Sequence, residues 1–306
     1  DEPSSAPAPH PSEATHMSED NVITISEIEA NGLPFRTRRA GPSESNAAGE
    51  GVILLHGFPE TSHMWTPLLE QLAAEGYTAV APDQRGYSPG ARPEAMEDYV
   101  YENLVSDVIA IADAAGFDRF HLVGHDHGAG VSWTTAHLHP DRLLSHTALS
   151  VPHPQAFGKA IDDDEDQHER SKYIGMFNTP GVAEKTLGAR MDSMWTDSSD
   201  EEKADYRSVF DQEGALTGAL NWYRSSLHYD GSPDATDRVG DVEVPTVLIW
   251  GNEDGAIGRA GVDGTPPYMK AEYKLVELDA GHWLIQQQPD RVISEVLANI
   301  KAHPAS

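Results

Sequence analysis

The chain has 306 residues; 39% are hydrophobic, 50 are Asp or Glu and 21 are Lys or Arg. This size suits one large domain with an insertion, or two domains. The formal net charge of −29 argues against nucleic acid and anionic membranes as partners, and no apolar run is long enough to span a bilayer. Cysteine is absent, which excludes a disulfide framework and a thiolate metal site.

The first part of the chain combines a polar leader with a hairpin. Residues 1–20 are rich in Pro, Ser, Ala and acidic residues without periodicity, which predicts a disordered leader. Alternating apolar and polar residues predict strands at 21–28 and 33–38. Asn31-Gly32 lies between them and favours a tight turn, so the two strands are predicted to form a hairpin.

The rest of the chain alternates between strands and helices, with one interruption. Alternation of this kind predicts an α/β fold, namely a mostly parallel, doubly wound sheet built from residues 21–152 and 239–306. The pattern of residues 153–238 instead predicts polar helices, and this segment follows the sixth predicted strand. Ligands bind beyond the carboxyl ends of parallel strands, so this segment is predicted to form a helical lid over a site. Further strands are predicted at 52–55, 78–81, 119–123, 144–151, 245–251 and 273–278, and helices at 61–77, 99–117 and 291–301.

A glycine-rich turn joins the strand at 119–123 to a helix. The sequence Gly124-His125-Asp126-His127-Gly128 has the spacing of a nucleophile elbow, in which the central residue projects above the sheet. A carboxylate at this position is suited to attack a saturated carbon that bears a leaving group, because the resulting ester can be hydrolysed at its own carbonyl. Asp126 therefore indicates epoxide opening or carbon–halogen cleavage, the alternative being an Asp that only caps the helix.

Residues near other strand ends complete the predicted machinery. His282 follows the last strand and is the expected base, and Asp254 follows the strand at 245–251 and is expected to orient it, with Glu253 as the alternative acid. The backbone N–H groups of Phe58 and His127 are the expected oxyanion donors.

Metal and cofactor chemistry are not predicted. His125 and His127 form a His-x-His pair, but a third ligand with matching spacing is missing from the sequence. Attack by a carboxylate followed by hydrolysis of the resulting ester needs no cofactor and no metal, so none is predicted.

With these residues placed, the sequence resembles the soluble-type epoxide hydrolases of the α/β-hydrolase fold over most of residues 21–302. The resemblance implies that Tyr173 and Tyr223 act as the acid pair that holds the epoxide oxygen, and that Trp222, His56 and Pro59 contact the substrate. The chain departs from the family at His127, where Trp or a similar residue is usual, and this imidazole could titrate. The segments that carry the resemblance are His56-Gly57-Phe58-Pro59-Glu60, Asp83-x-Arg85-Gly86-Tyr87, Gly124-His125-Asp126-x-Gly128, 173–184, Asn221-Trp222-Tyr223-Arg224 and Gly281-His282-Trp283.

The predicted activity is conversion of a small hydrophobic epoxide to a vicinal diol. Asp126 would form an alkyl ester that water, activated by His282, then hydrolyses. A haloalkane or haloacid dehalogenase with the same nucleophile is the first alternative, and a non-catalytic hydrolase-fold binding protein is the second. Nucleic acid and membranes are not expected as partners. A homodimer stays open, and a cytoplasmic location is favoured without excluding secretion.

Overall fold

A computed structural model describes residues 23–43, 49–188, 190–226 and 239–305 of the chain. The leader predicted at 1–20 and the last part of the predicted lid, 227–238, lie outside these described residues. Within them, eight strands form one sheet. The strands are β1 (Thr24–Ala30), β2 (Leu33–Ala40), β3 (Glu50–Leu55), β4 (Ala79–Pro82), β5 (Arg119–His125), β6 (Leu143–Leu149), β7 (Thr246–Gly251) and β8 (Tyr273–Leu278).

The strand order confirms the predicted fold class. The order is β1-β2-β4-β3-β5-β6-β7-β8, and every neighbouring pair from β4 to β8 is parallel. β3, β4, β6 and β7 are buried along their whole length, as expected for strands covered by helices on both faces. The hairpin prediction is also confirmed, because β1 and β2 are antiparallel around Asn31 and Gly32, whose φ angles are 52° and 72°.

Helices cover the sheet and also form the interruption between β6 and β7. α1 packs against α12, and α2 packs against α3. Among the described helices, none is both long and apolar enough to cross a bilayer. The helices are α1 (Thr66–Ala74), α2 (Tyr101–Ala114), α3 (His127–Leu138), α4 (Pro154–Asp163), α5 (Glu165–Arg170), α6 (Tyr173–Phe177), α7 (Val182–Gly188), α8 (Asp200–Phe210), α9 (Ala215–Ser226), α10 (Arg259–Asp263), α11 (Leu284–Gln287) and α12 (Pro289–Ala302).

The helices α4–α9, here called the helical insertion (residues 154–226), are held on the core by charged hydrogen bonds. Asp205 of α8 accepts hydrogen bonds from Arg36 Nη2 at 2.5 Å, Arg38 Nη2 at 2.7 Å and Thr61 Oγ1 at 2.5 Å. The indole Nε1 of Trp195 donates to the carbonyl of Pro59 at 3.0 Å. These contacts fix the insertion beside the loop that follows β3.

The turn between β5 and α3 packs backbone against backbone. A Cβ atom at Gly128 would lie 2.2 Å from the carbonyl oxygen of Leu55 at the end of β3. A Cβ atom at Gly124 would lie 2.2 Å from the carbonyl oxygen of Gly128. Both distances are far inside van der Waals contact, so glycine at these two positions is what lets α3 start directly behind the sheet edge.

We expect Gly128→Ala to lower the free energy of unfolding by about 3 kcal/mol or more, because the backbone must shift to admit the methyl group. Gly175→Ala is the matched control, since Gly175 is exposed in α6 and a Cβ there meets no atom within 4 Å. The control should raise stability by up to about 1 kcal/mol through helix propensity. Denaturant unfolding of both variants tests this, and equal stability would contradict the packing described for the elbow.

Candidate active site

Asp126 occupies the turn between β5 and α3 in a strained backbone conformation. Its φ is 53° and its ψ is −118°, a region that residues with a Cβ rarely adopt. This conformation turns the carboxylate away from the sheet and toward the loops at the carboxyl ends of the strands. The N–H of Phe58 donates to Asp126 Oδ1 at 2.9 Å, and His282 Nε2 lies 3.2 Å from Asp126 Oδ2.

The imidazole of His282 lies between two carboxylates. Its Nδ1 is 2.9 Å from Asp254 Oδ2, while its Nε2 faces Asp126. The other oxygen of Asp254 accepts the backbone N–H groups of Ala256 at 2.8 Å and Ile257 at 3.0 Å. Glu253, the alternative acid in the sequence, is exposed, so Asp254 is the acid that contacts His282.

Ser150 also contacts this pair and was missed by the sequence reasoning. Its Oγ donates to Asp254 Oδ2 at 2.7 Å and lies 3.0 Å from His282 Nδ1. The sixth strand was predicted to run to residue 151, but β6 ends at Leu149 because Ser150 has a φ of 72°. The only sequence signal was its position at the carboxyl end of a strand beside β5, which by itself does not distinguish it from other strand-end residues.

The backbone of His282 is held by His125. His125 Nε2 donates to the carbonyl of His282 at 2.9 Å, and His125 Nδ1 lies 3.5 Å from the buried Glu60 Oε2. Glu60 in turn accepts a hydrogen bond from Gln286 Nε2 at 2.6 Å. Thus His125, the residue before Asp126, anchors the loop that carries His282.

Attraction between His282 and the carboxylates of Asp126 and Asp254 sets the charge state of the site. Burial alone would lower the pKa of His282, but Asp254 and Asp126 raise it well above its usual value. Burial alone would raise the pKa of Asp126, but the hydrogen bond from His282 and the charge of that imidazolium hold it well below its usual range. At neutral pH the resting site is therefore an Asp126 carboxylate facing a protonated His282.

A cavity of about 590 Å³ opens onto Asp126 and His282. Tyr173 of α6 and Tyr223 of α9 also line it, with ring centroids 6.4 Å apart. The pKa of Tyr223 is raised well above its usual value, most strongly by burial and then by the nearby Tyr173 and Asp126. This phenol therefore keeps its proton and can donate it. The remaining lining residues are mostly apolar and include Phe58, Met176, Phe177, Leu187, Met194 and Trp283.

His56, Pro59 and Trp222 were expected to contact substrate. They are not among the described residues that line this cavity. The ring of His56 is fully buried and its Nε2 accepts the N–H of Gln84 at 3.1 Å. Trp222 Nε1 donates to the carbonyl of Arg85 at 2.7 Å. Pro59 is buried under the insertion. His56 thus bonds within the core and Trp222 bonds from the insertion to the core, and contact of His56, Pro59 and Trp222 with substrate stays a prediction.

His127 begins α3, and its ring forms part of the packing behind the cavity. The ring stacks on Trp222 with centroids 5.4 Å apart and an interplanar angle of 5°, and it lies 4.1 Å from the ring of Tyr223. Burial lowers the pKa of His127, which favours the neutral form of the imidazole. As the first residue of α3, its N–H lacks an intrahelical acceptor.

The His125-x-His127 pair does not form a shared site. The two rings have separate partners, the carbonyl of His282 for His125 and the indole of Trp222 for His127. Over the parts of the chain that the structure describes, no group of three or more His, Asp or Glu is arranged to hold a metal ion.

The sequence of the chain is similar to those of known proteins. A sequence profile described as alpha/beta hydrolase fold matches residues 51–289. The chain is 31% identical over 318 residues to epoxide hydrolase A of Mycobacterium tuberculosis, which covers 88% of this chain and 95% of that protein. It is 32% identical over 290 residues to epoxide hydrolase 4 of Mus musculus, which covers 90% of this chain and 78% of that protein.

Solved structures of similar proteins have the same fold as this chain. The crystal structure of epoxide hydrolase A from Mycobacterium thermoresistibile superimposes with a TM-score of 0.75 at 27% identity, covering 93% of this chain and 100% of that one. An epoxide hydrolase from Vigna radiata superimposes with a TM-score of 0.76 at 28% identity, covering 93% and 99%. Sequence and structure thus point to the same group of proteins.

We expect Asp126→Asn to lower the pKa of His282 by about one to three pH units, because one of its two carboxylate neighbours loses its charge. NMR titration of the imidazole resonances in both proteins measures this. His146 is the internal control, since burial lowers its pKa to about 3 and it contacts neither carboxylate. An unchanged pKa of His282 would contradict the charge state described for the site.

Proposed function

The chain belongs to the epoxide hydrolases of the α/β-hydrolase fold, and on that basis we propose that it opens a small hydrophobic epoxide to a vicinal diol through an ester on Asp126. The observation that carries the proposal is that one cavity is lined by the Asp126 carboxylate, the His282 imidazole and two phenols, Tyr173 and Tyr223. The mostly apolar remainder of the lining suits a hydrophobic substrate. The lid predicted at 153–238 is part of this proposal, since both tyrosines belong to the helical insertion.

In the first half-reaction Asp126 opens the ring. Asp126 Oδ1 is held by the N–H of Phe58, which leaves Oδ2 as the attacking oxygen. As the new carbon–oxygen bond forms, the ring carbon–oxygen bond breaks and the departing oxygen takes a proton from Tyr173 or Tyr223. A carboxylate is ionised at pH 7, so this step needs no base.

Esterification of Asp126 then changes the proton affinity of His282. The ester carries no charge, so one of the two carboxylates that raise the pKa of His282 is lost. The imidazolium can then give up its proton, through solvent, to the tyrosinate left by the first step. His282 becomes a neutral base only after the ester has formed, which orders the two half-reactions.

In the second half-reaction water cleaves the ester. His282 takes one proton from water as the oxygen attacks the ester carbonyl, and Asp254 stabilises the imidazolium that forms. The oxyanion on Oδ1 is stabilised by the N–H groups of Phe58 and His127. Its collapse releases the diol, which receives the other proton of the water, and restores the Asp126 carboxylate beside a protonated His282.

We expect His282→Gln to form the ester but fail to hydrolyse it, because attack by Asp126 needs no base and hydrolysis does. Intact-mass spectrometry after incubation with an aryl epoxide should show protein heavier by one substrate mass. His303→Gln is the matched control, since His303 lies at the end of α12 and pairs with Glu272. The control should release diol at the rate of the unsubstituted protein.

A parallel incubation with a bromoalkane separates the alternatives. Bromide release without diol formation from the epoxide would make the protein a dehalogenase. Binding of the epoxide with neither product nor adduct would make it a binding protein, and either outcome overturns the proposed function.

We expect Tyr173→Phe and Tyr223→Phe each to slow ester formation by on the order of 100-fold or less, since one phenol remains to protonate the oxygen. The double variant should lose almost all activity. Tyr77→Phe is the control, because this partly buried tyrosine packs against His121, outside the cavity lining. Single-turnover rates measure the effect, and a double variant with near-normal rates would rule out the acid pair.

A further inference from the structure

Gln167 in α5 of the helical insertion is fully buried and contacts the loop that follows Asp254. Its Nε2 donates to the carbonyl of Ala256 at 2.9 Å, and its Oε1 accepts the N–H of Gly258 at 2.8 Å. The donor and the acceptor of this buried amide are thus both hydrogen-bonded to one loop. Breaking either hydrogen bond would leave buried polar groups unpaired, so the amide holds the loop in place.

One peptide plane connects Gln167 to the carboxylate of Asp254. The carbonyl of Ala256 and the N–H of Ile257 belong to the same planar peptide unit. That carbonyl accepts from Gln167, and that N–H donates to Asp254 Oδ1 at 3.0 Å. Gln167 therefore holds the peptide unit whose N–H group donates to Asp254 Oδ1.

Arg170, one turn further along α5, makes a second contact with the same loop. Its Nη1 donates to the backbone carbonyl of Asp254 at 2.6 Å, and its Nε donates to Asp166 at 2.7 Å. Side chains of α5 pack closely on the loop, since a Cβ at Gly258 would lie 2.9 Å from the side-chain oxygen Oδ2 of Asp166. The insertion is thus packed directly on the loop that carries the orienting acid.

The acidic run at 162–166 has a structural use in this arrangement. Asp164 caps α5, accepting the backbone N–H of Gln167 at 2.8 Å. Asp166 pairs with Arg170. Two acids of the run therefore support the two residues of α5 that contact the loop.

We propose that Gln167 is a positioning residue that holds Asp254 in register with His282, so that the helical insertion sets the geometry of the base as well as the wall of the cavity. The inference rests on the proposed function. Asp126 attacks the epoxide without a base, whereas ester hydrolysis needs His282 oriented by Asp254. Loss of the Gln167 contacts should therefore slow ester hydrolysis much more than ester formation.

The test measures the two half-reactions separately in Gln167→Ala. Single turnovers with an aryl epoxide are quenched at intervals, and intact-mass spectrometry follows the rise and decay of the ester. Ester formation should stay within about threefold of the unsubstituted protein, while decay slows by about tenfold or more, as expected when a catalytic group is misplaced by a fraction of an ångström to 1 Å. The amplitude of the adduct counts folded, reactive molecules, so partial misfolding does not imitate the result.

Two further variants sharpen the test. Glu169→Gln is the matched control, because Glu169 lies on the exposed side of the same helix and pairs with Lys172. This variant should leave both half-reactions unchanged. Gln167→Glu keeps the acceptor for Gly258 but removes the donor to Ala256, so its ester should decay at an intermediate rate. This nearly isosteric variant also carries the test if Gln167→Ala does not fold.

The outcomes distinguish this inference from the proposed function. If the unsubstituted protein and His282→Gln form no ester with any epoxide while still binding it, the proposed function fails and the inference fails with it. If the unsubstituted protein forms and hydrolyses the ester but the Gln167 variants match Glu169→Gln in both steps, or slow both equally, only the positioning role is overturned.

Discussion

At Asp126 the chain leaves β5 and enters α3 through a backbone conformation that is unfavourable for any residue with a Cβ atom. The strain persists because Gly124 and Gly128 let the strand, the turn and the helix pack at backbone distance against the end of β3. The conformation projects the carboxylate above the sheet edge, within 2.9 Å of the N–H of Phe58. Every other part of the site is arranged around this fixed oxygen pair.

The second element of the site is a single imidazole between two carboxylates. Because His282 is held by Asp254 on one side and faces Asp126 on the other, its proton affinity depends on whether Asp126 is charged. The proposed chemistry uses this dependence directly: the nucleophile acts while His282 is protonated, and the ester that it forms releases His282 to act as a base. Ser150 adds a hydroxyl to the Asp254 side of this arrangement.

The helical insertion supplies more than a cover. It contributes the phenols of Tyr173 and Tyr223 to the cavity wall, and through Gln167 it contacts the loop that carries Asp254. Its attachment to the core through Asp205 keeps both contributions in place. The cavity lining and the loop that carries Asp254 thus both contact one segment of the chain.

The sequence by itself determined the strands, the hairpin and the elbow, because each follows from local periodicity or from residues within one turn. It also indicated Asp126, His282 and Asp254 as a set, since strand ends of a parallel sheet meet at one edge. It could not determine the direction of side chains. His56 and Trp222 lie in segments typical of the family, but the sequence does not show that their ring nitrogens bond to the backbone of Gln84 and Arg85.

Only the tertiary structure decided which distant residues support the site. Ser150 is 104 positions from Asp254, and Gln167 is 89 positions from Ala256, and neither lies in a motif that links the pair. The role of Ser150 depends on a left-handed backbone at the end of β6. The role of Gln167 depends on the packing of α5 against the loop that follows Asp254. These features arise from packing between separate segments, so no local pattern in the chain could encode them.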